Sequence, residues 1–193
     1  MSDRTHPLRD VLSALAAVLD RTGTRWYVFG AQAVVVYGRP RLTADIDVTV
    51  DVRLESWQEL EVPLLEAGFS PRVEDLQAFV ERTRVLPLAH DPSGIPVDLV
   101  LAGPVGLEQE FLDRVRRVDM GGLRVPLISP VDLVVTKILA GRPKDLEDVR
   151  GILREQAGGL DLDSVRELLA RLEKALDRRD LLTELERLHR GED

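Results

Sequence analysis

The 193-residue chain contains no cysteine. That absence excludes disulfides, thiolate zinc sites and cysteine nucleophiles together. Histidine is scarce: His6, His90 and His189 stand far apart, and no His-x-x-x-His or His-Glu-x-x-His spacing occurs. Any metal site must therefore be built from oxygen ligands, which suits Mg²⁺ or Mn²⁺ better than Zn²⁺. The longest mainly apolar stretches, Ala31 to Tyr37 and Val97 to Ala102, are far too short to span a bilayer. Met1 to His6 is polar and lacks the apolar stretch of a secretory signal. The expectation is a soluble, cytoplasmic protein with no membrane partner. The sequence also lacks Gly-x-x-x-x-Gly-Lys-Ser/Thr, Gly-x-Gly-x-x-Gly and Gly-x-Ser-x-Gly, and with them a Walker-type phosphate loop, a dinucleotide fingerprint and a hydrolase nucleophile elbow. No internal repeat or low-complexity tract is present.

What is there is an ordinary globular balance, 44% hydrophobic and 31% charged. The net charge of −8 disfavours non-specific nucleic-acid binding, though a locally basic cleft could still hold RNA. Leu8 to Arg21 has the apolar spacing of an amphipathic helix capped by Gly23. Trp26 to Phe29 is a short strand, ended by Gly30, and Ala31 to Tyr37 a short buried helix closed by Gly38. Asp45 to Val50 alternates as a strand. Ser56 and Glu59 have capping-box spacing ahead of a helix ending near Gly68, with Pro63 implying a kink or early break.

Arg84 to His90 and Ile95 to Ala102 are two strands joined by the turn Asp91-Pro92-Ser93-Gly94. Glu108 to Val115 is a short helix, and Arg117 to Ile128 a second hairpin around Gly121-Gly122. Ser129-Pro130 starts a helix that ends at Gly141, and Pro143 opens another through about Arg154. Beyond Gly158-Gly159, Ser164 to His189 is a leucine-striped helix or helix pair. The order predicts an α/β (α+β) protein: a mixed sheet with flanking helices over 1–157, and a helical C-terminal segment over 158–193 packed on it.

Three features carry chemistry. Gly30 sits at a strand-to-helix junction, where the amides of Ala31 and Gln32 leave a helix N-terminus suited to phosphate; taken alone, it equally suits an ordinary turn. Asp45 and Asp47, two residues apart on a strand, share a face and repel, which a divalent cation between them would relieve; taken alone, the pair also suits a solvent-exposed strand face. Asp98 interrupts an otherwise apolar strand, Ile95 to Leu101, where a buried carboxylate needs a cation. Together the three acids describe a two-metal site for phosphoryl or nucleotidyl transfer, with metals roughly 3.5–4 Å apart. A basic loop with Arg39 and Arg41 precedes the paired acids. The chain has 23 arginines but three lysines, and Lys137 and Lys144 lie within eight residues of each other. A lysine point charge suits a triphosphate; the alternative for Lys137 is an aliphatic stem laid along a helix with its head in water.

Gly30-Ala31, the run Gly38-Arg39-Pro40-Arg41-Leu42-Thr43-Ala44-Asp45-Ile46-Asp47 and the later single Asp98 resemble the DNA polymerase β-like nucleotidyltransferase superfamily. The run from Lys137 through Gly141-Arg142-Pro143-Lys144-Asp145 to Asp148 resembles a second block of its AbiEii-type branch, which includes toxins of toxin–antitoxin pairs. The resemblance covers roughly Trp26 to Arg154. It implies that Asp45, Asp47 and Asp98 ligate Mg²⁺, that Asp98 helps deprotonate the acceptor hydroxyl, and that the Gly30 turn cradles the β- and γ-phosphates of an NTP. It further implies that Lys137 contacts the triphosphate, and that Lys144, Asp145 and Asp148 shape the nucleotide or acceptor side. Ala31 departs from the usual Ser or Gly; it keeps the amide but offers no hydroxyl, implying weaker triphosphate affinity or compensation by Arg39 or Arg41. The acceptor stays open between a tRNA 3′ end, with an antitoxin as a further partner, and a small molecule or protein hydroxyl. The reading from another class is a non-catalytic protein that binds nucleotide or a partner through the leucine-rich helices.

Overall fold

The computed structural model describes residues 7–39, 45–103 and 106–191. Its centre is a seven-stranded mixed sheet. The strands are β1 (Trp26–Phe29), β2 (Ile46–Val50), β3 (Phe69–Pro71), β4 (Val85–His90), β5 (Ile95–Leu101), β6 (Arg116–Asp119) and β7 (Arg124–Leu127), in the order β3-β4-β5-β2-β1-β7-β6. Two pairings are parallel, β2 with β5 and β1 with β7, and the rest antiparallel. The helices are α1 (Pro7–Arg21), α2 (Gly30–Tyr37), α3 (Glu61–Glu66), α4 (Leu76–Thr83), α5 (Leu107–Asp113), α6 (Pro130–Ala140), α7 (Pro143–Glu155), α8 (Leu162–Leu176) and α9 (Leu181–His189).

The backbone falls into two compact units. The first holds the described residues of Met1–Gln32 and Thr43–Ile128, and the second those of Ala33–Leu42 and Ser129–Asp193. One division thus falls between Ile128 and Ser129, and the described residues of Ala33–Leu42 go with the second unit. α6 and α7 belong with α8 and α9 because each of the four packs on at least two of the others. Val134, Ile138, Ile152, Leu169 and Leu185 are buried in this helical unit.

Strand alternation decides what the first unit presents. Val28 of β1, Val48 of β2 and Leu99 of β5 are in register and fully buried. They lie on the core face together with Ile46, Val50, Val97 and Leu101, and α1 packs on β5 and α3. The stripe Val11, Leu12, Leu15, Val18 and Leu19 supplies the buried side of α1. Successive strand residues point to opposite sides, so Asp47 and Asp98 fall on the other face.

The expected boundaries are met closely at α1, β1, α2 and the two hairpins, and at α6, whose Ser129 cap accepts a hydrogen bond from the Asp132 amide. Three places differ. The capping box at Ser56 and Glu59 does not form: Ser56 makes no side-chain cap bond, and Trp57–Leu60 is a single 3-10 turn. α3 begins only at Glu61, which puts Pro63 in its first turn, where the missing N–H leaves no bond unmade. Arg84 is not in β4 but closes α4 in a left-handed conformation, φ 57°. The short strand β3 and helix α4 have no counterpart among the expected elements.

Candidate active site

β1 ends at Phe29 and α2 starts at once with Gly30, whose φ of 61° lies in the left-handed region. Gly30 is needed for more than this turn. A β-carbon built on it would lie 2.0 Å from Asp47 Oδ2 and 2.8 Å from Asp47 Cγ, so the carboxylate occupies the space that any side chain would fill. Asp47 pairs with Phe29 across the antiparallel β1–β2 ladder, which sets its head group beside the Gly30 turn. Ala31 and Gln32 follow in the first turn of α2, and both are buried. The Gln32 amide nitrogen donates a long hydrogen bond, 3.4 Å, to the carbonyl of Asp45.

Asp47 and Asp98 are direct register partners on the parallel strands β2 and β5. Side chains at such positions point to the same face of the sheet, on strands roughly 4.8 Å apart. The register extends in both directions. Phe29 partners Asp47, Asp98 partners Pro87, and Arg72 donates its backbone N–H to the Pro87 carbonyl at 2.9 Å. One row therefore crosses four strands, Pro87, Asp98, Asp47 and Phe29, and is extended by Arg72 just past the end of β3. Asp45 lies just before β2 and is exposed, while Asp47 is half-buried.

β5 is an interior strand, as expected, but Asp98 is not deeply buried: its side chain keeps 34% of its exposure. Alternation gives the fully buried places to Val97 and Leu99 and leaves Asp98 on the more open face. Its cation is Arg72, whose guanidinium is ion-paired with Asp98 Oδ1. Arg72 is in turn anchored by an Nε bond to the Leu88 carbonyl, 2.8 Å. No spacing rule brings Arg72 to notice in the sequence, since it lies 26 residues from Asp98 and meets it only through the β3–β4–β5 pairing.

Among the described residues, no group of three or more His, Asp or Glu side chains already surrounds a point where a cation could sit. The chemistry of the donors nevertheless fits a hard divalent ion. Asp47 and Asp98 are carboxylates in register on one face, Asp45 is two residues from Asp47, and the bare Gly30 backbone leaves the Asp47 carboxylate room that a β-carbon would take.

The second block lies in the helical unit. Lys137 is buried, 8% exposed, and its ammonium donates to Asp145 Oδ1 at 2.6 Å and Asp148 Oδ2 at 2.9 Å. It does not send its head into water along the helix surface. Arg142 Nε adds a bond to Asp145 Oδ2, 2.5 Å. Burial pushes the Asp145 carboxyl up, but the hydrogen bonds from Arg142 and Lys137 and the charge of Lys137 outweigh it and hold the group below the usual carboxylate range. Lys144 is exposed in the first turn of α7. Arg39 is also exposed, its backbone and stem passing close to Gly151. Arg41 lies outside the described residues.

A mixed sheet with flanking helices and a helical C-terminal part matches the nucleotidyltransferase fold. The chain belongs to the family described as nucleotidyltransferase of unknown function (DUF6036), which matches residues 6–186. No curated protein matches its sequence. Among solved structures, the chain is similar to the antibiotic-resistance factor ANT(2″)-Ia in its solution structure, with a TM-score of 0.61 and 16% identity over 90% of this chain and 94% of that one. A crystal structure of ANT(2″)-Ia in complex with adenylyl-2″-tobramycin gives a TM-score of 0.56 and 15% identity over 86% and 97% of the two chains. An antigenic nucleotidyltransferase-like protein from Paracoccidioides brasiliensis gives 0.54 and 21%, covering 94% and 93%. These likenesses establish the nucleotidyltransferase fold. The AbiEii-type branch suggested by the second block is not among what they establish.

Proposed function

We propose that the protein moves a nucleoside monophosphate from an NTP to an acceptor hydroxyl with release of pyrophosphate, using Mg²⁺ or Mn²⁺ held by Asp45, Asp47 and Asp98. The observation that carries the reading is the register of Asp47 with Asp98, together with the Gly30 backbone pressed against the Asp47 carboxylate. When bound, the metal supplies charge neutralisation at the phosphates and acidifies the acceptor hydroxyl.

The chain's own groups do the rest. The amides at the start of α2, from Ala31 and Gln32, donate to phosphate oxygens, aided by the partial positive charge of the helix N-terminus. Ala31 contributes only its amide, so Arg39 and Arg41 are assigned the supporting charge. Asp98 accepts the proton of the attacking hydroxyl, and Lys137 is assigned a triphosphate oxygen in addition to its two carboxylates.

For the acceptor, the AbiEii-type resemblance favours RNA, with tRNA as the first candidate and an antitoxin as a protein partner. A second reading, a small hydroxylated molecule, is favoured by the net charge of −8 and by the fold shared with ANT(2″)-Ia, the protein crystallised with adenylyl-2″-tobramycin. The test is incubation with each α-³²P-labelled NTP and Mg²⁺, in parallel with total cellular RNA and with a panel of hydroxylated antibiotics. Label on RNA that Asp47→Asn abolishes selects the first acceptor, and label on an antibiotic selects the second. No transfer, together with no metal-dependent NTP binding, would overturn the catalytic reading and leave a binding protein.

A further inference from the structure

We propose that Arg72 is a positioning residue for Asp98: its guanidinium holds the carboxylate in the cation-free protein and yields it when a divalent cation binds. The inference rests on the reading of Asp47 and Asp98 as a metal-binding pair.

Two carboxylates in register on neighbouring strands repel, and the repulsion grows as water is excluded. Without a cation the row needs a positive charge. Arg72 supplies it from the same row, two strands from Asp98. Its position is fixed by more than the ion pair. The backbone N–H is committed to Pro87 and Nε to the Leu88 carbonyl, so the head group is tethered beside Asp98 rather than swinging on a free stem. The terminal nitrogen is the part left to engage Oδ1.

The exposure of the pair sets its strength. Arg72 and Asp98 keep 36% and 34% of their side-chain exposure, so the ion pair is solvent-screened and weak enough for a dication to displace. The arrangement keeps Asp98 aimed along the row, satisfies it when the site is empty, and sets a threshold for metal loading. A purely architectural Arg72, tying β3 to β5, would predict something different: its loss would cost stability and leave metal affinity unchanged or reduced.

The experiment titrates Mn²⁺ into the full chain without nucleotide, following free Mn²⁺ by electron paramagnetic resonance. Arg72→Gln is expected to bind Mn²⁺ about 5-fold tighter or more, and Arg72→Lys close to the wild type. Arg82→Gln, which removes the same charge from an exposed position at the end of α4, is expected to bind as the wild type does. Arg72→Met, which keeps the aliphatic stem, serves if the Gln variant does not fold, with the same expectation. Unchanged or weaker Mn²⁺ affinity in the neutral variants overturns the proposal, and so does an equal gain in Arg82→Gln, which would make the effect one of bulk charge. Asp47→Asn separates this failure from that of the underlying reading. If the wild type binds Mn²⁺ and Asp47→Asn does not, an unchanged Arg72→Gln removes only the role of Arg72. If neither the wild type nor Arg72→Gln binds Mn²⁺, both readings fall.

Discussion

The Asp47 carboxylate lies where a β-carbon on Gly30 would have to be, 2.0 Å from its Oδ2. Gly30, which follows β1, and the β2 acid that partners its neighbour Phe29 are thus fitted to each other, and each constrains the other. Substituting Gly30 with Ala has two separable costs. The left-handed φ of 61° strains an L-residue by about 1–2 kcal/mol. The new methyl must also drive the carboxylate aside, because the clashing atoms belong to a side chain that can rotate. Gly30→Ala is therefore expected to fold with a modestly lowered urea midpoint while nucleotide transfer falls by about 10²-fold or more through misplacement of Asp47. Equal small losses in stability and activity would show that the Asp47 carboxylate has no positional role.

Removing the charge instead of displacing it gives the complementary result. Asp47→Asn keeps the shape and relieves repulsion with Asp98, its register partner. The thermal midpoint is expected to be unchanged or slightly raised. Transfer is expected to drop by at least about 10²-fold, along with metal binding. Full transfer activity in this variant would remove Asp47 from the metal-binding set.

Much of this site was legible in the sequence because its signals are local. Alternation from Ile46 to Val50 places Asp47 on the face opposite the valines, and the step from Phe29 to Gly30 marks the turn. Ser129 with Pro130 marks the start of α6, and Gly141, with φ 64°, its end. What was not legible depends on distant pairing. Arg72 follows a three-residue edge strand containing Pro71, too short to show a period, and its partner is fixed by two further strands. α4 starts from an Asp75 cap, but only Val80 among its residues is fully buried, so the apolar pattern that marks a helix is thin. Lys137 is a different case. The run from Lys137 to Asp148 stands out in the sequence, but a sequence does not tell whether a lysine meets a ligand, two carboxylates of its own chain, or both.

The carboxylate most firmly held by that lysine should register in acid. Burial raises the Asp145 carboxyl, and the bonds from Arg142 and Lys137 more than reverse it, so its folded value lies below the unfolded one. A depressed carboxyl contributes stability that is present above the unfolded value and is lost as pH falls through the folded one. Urea midpoints measured from about pH 6 down to about pH 2.5 should therefore fall steeply in the wild type once pH passes below the ordinary carboxylate range. Asp145→Asn should start less stable at neutral pH and show a shallower decline. Parallel curves for the two proteins would show that Asp145 titrates alike in the folded and unfolded chains.

Lys137 offers the hardest separation of structure from function. Lys137→Met takes the buried ammonium away from Asp145 and Asp148, while Arg142 still bonds Asp145. Breaking one side of a buried ion pair costs about 3–5 kcal/mol, so this variant should be strongly destabilised and its loss of activity uninformative. The triple variant Lys137→Met, Asp145→Asn, Asp148→Asn removes the two carboxylate charges as well and should recover a substantial part of the lost stability, because the three residues act as one network. That variant is the one in which to measure NTP affinity. A folded triple variant that binds NTP as the wild type does would confine Lys137 to holding α6 against α7. Weakened binding in the same folded protein would place the Lys137, Asp145 and Asp148 network at the nucleotide.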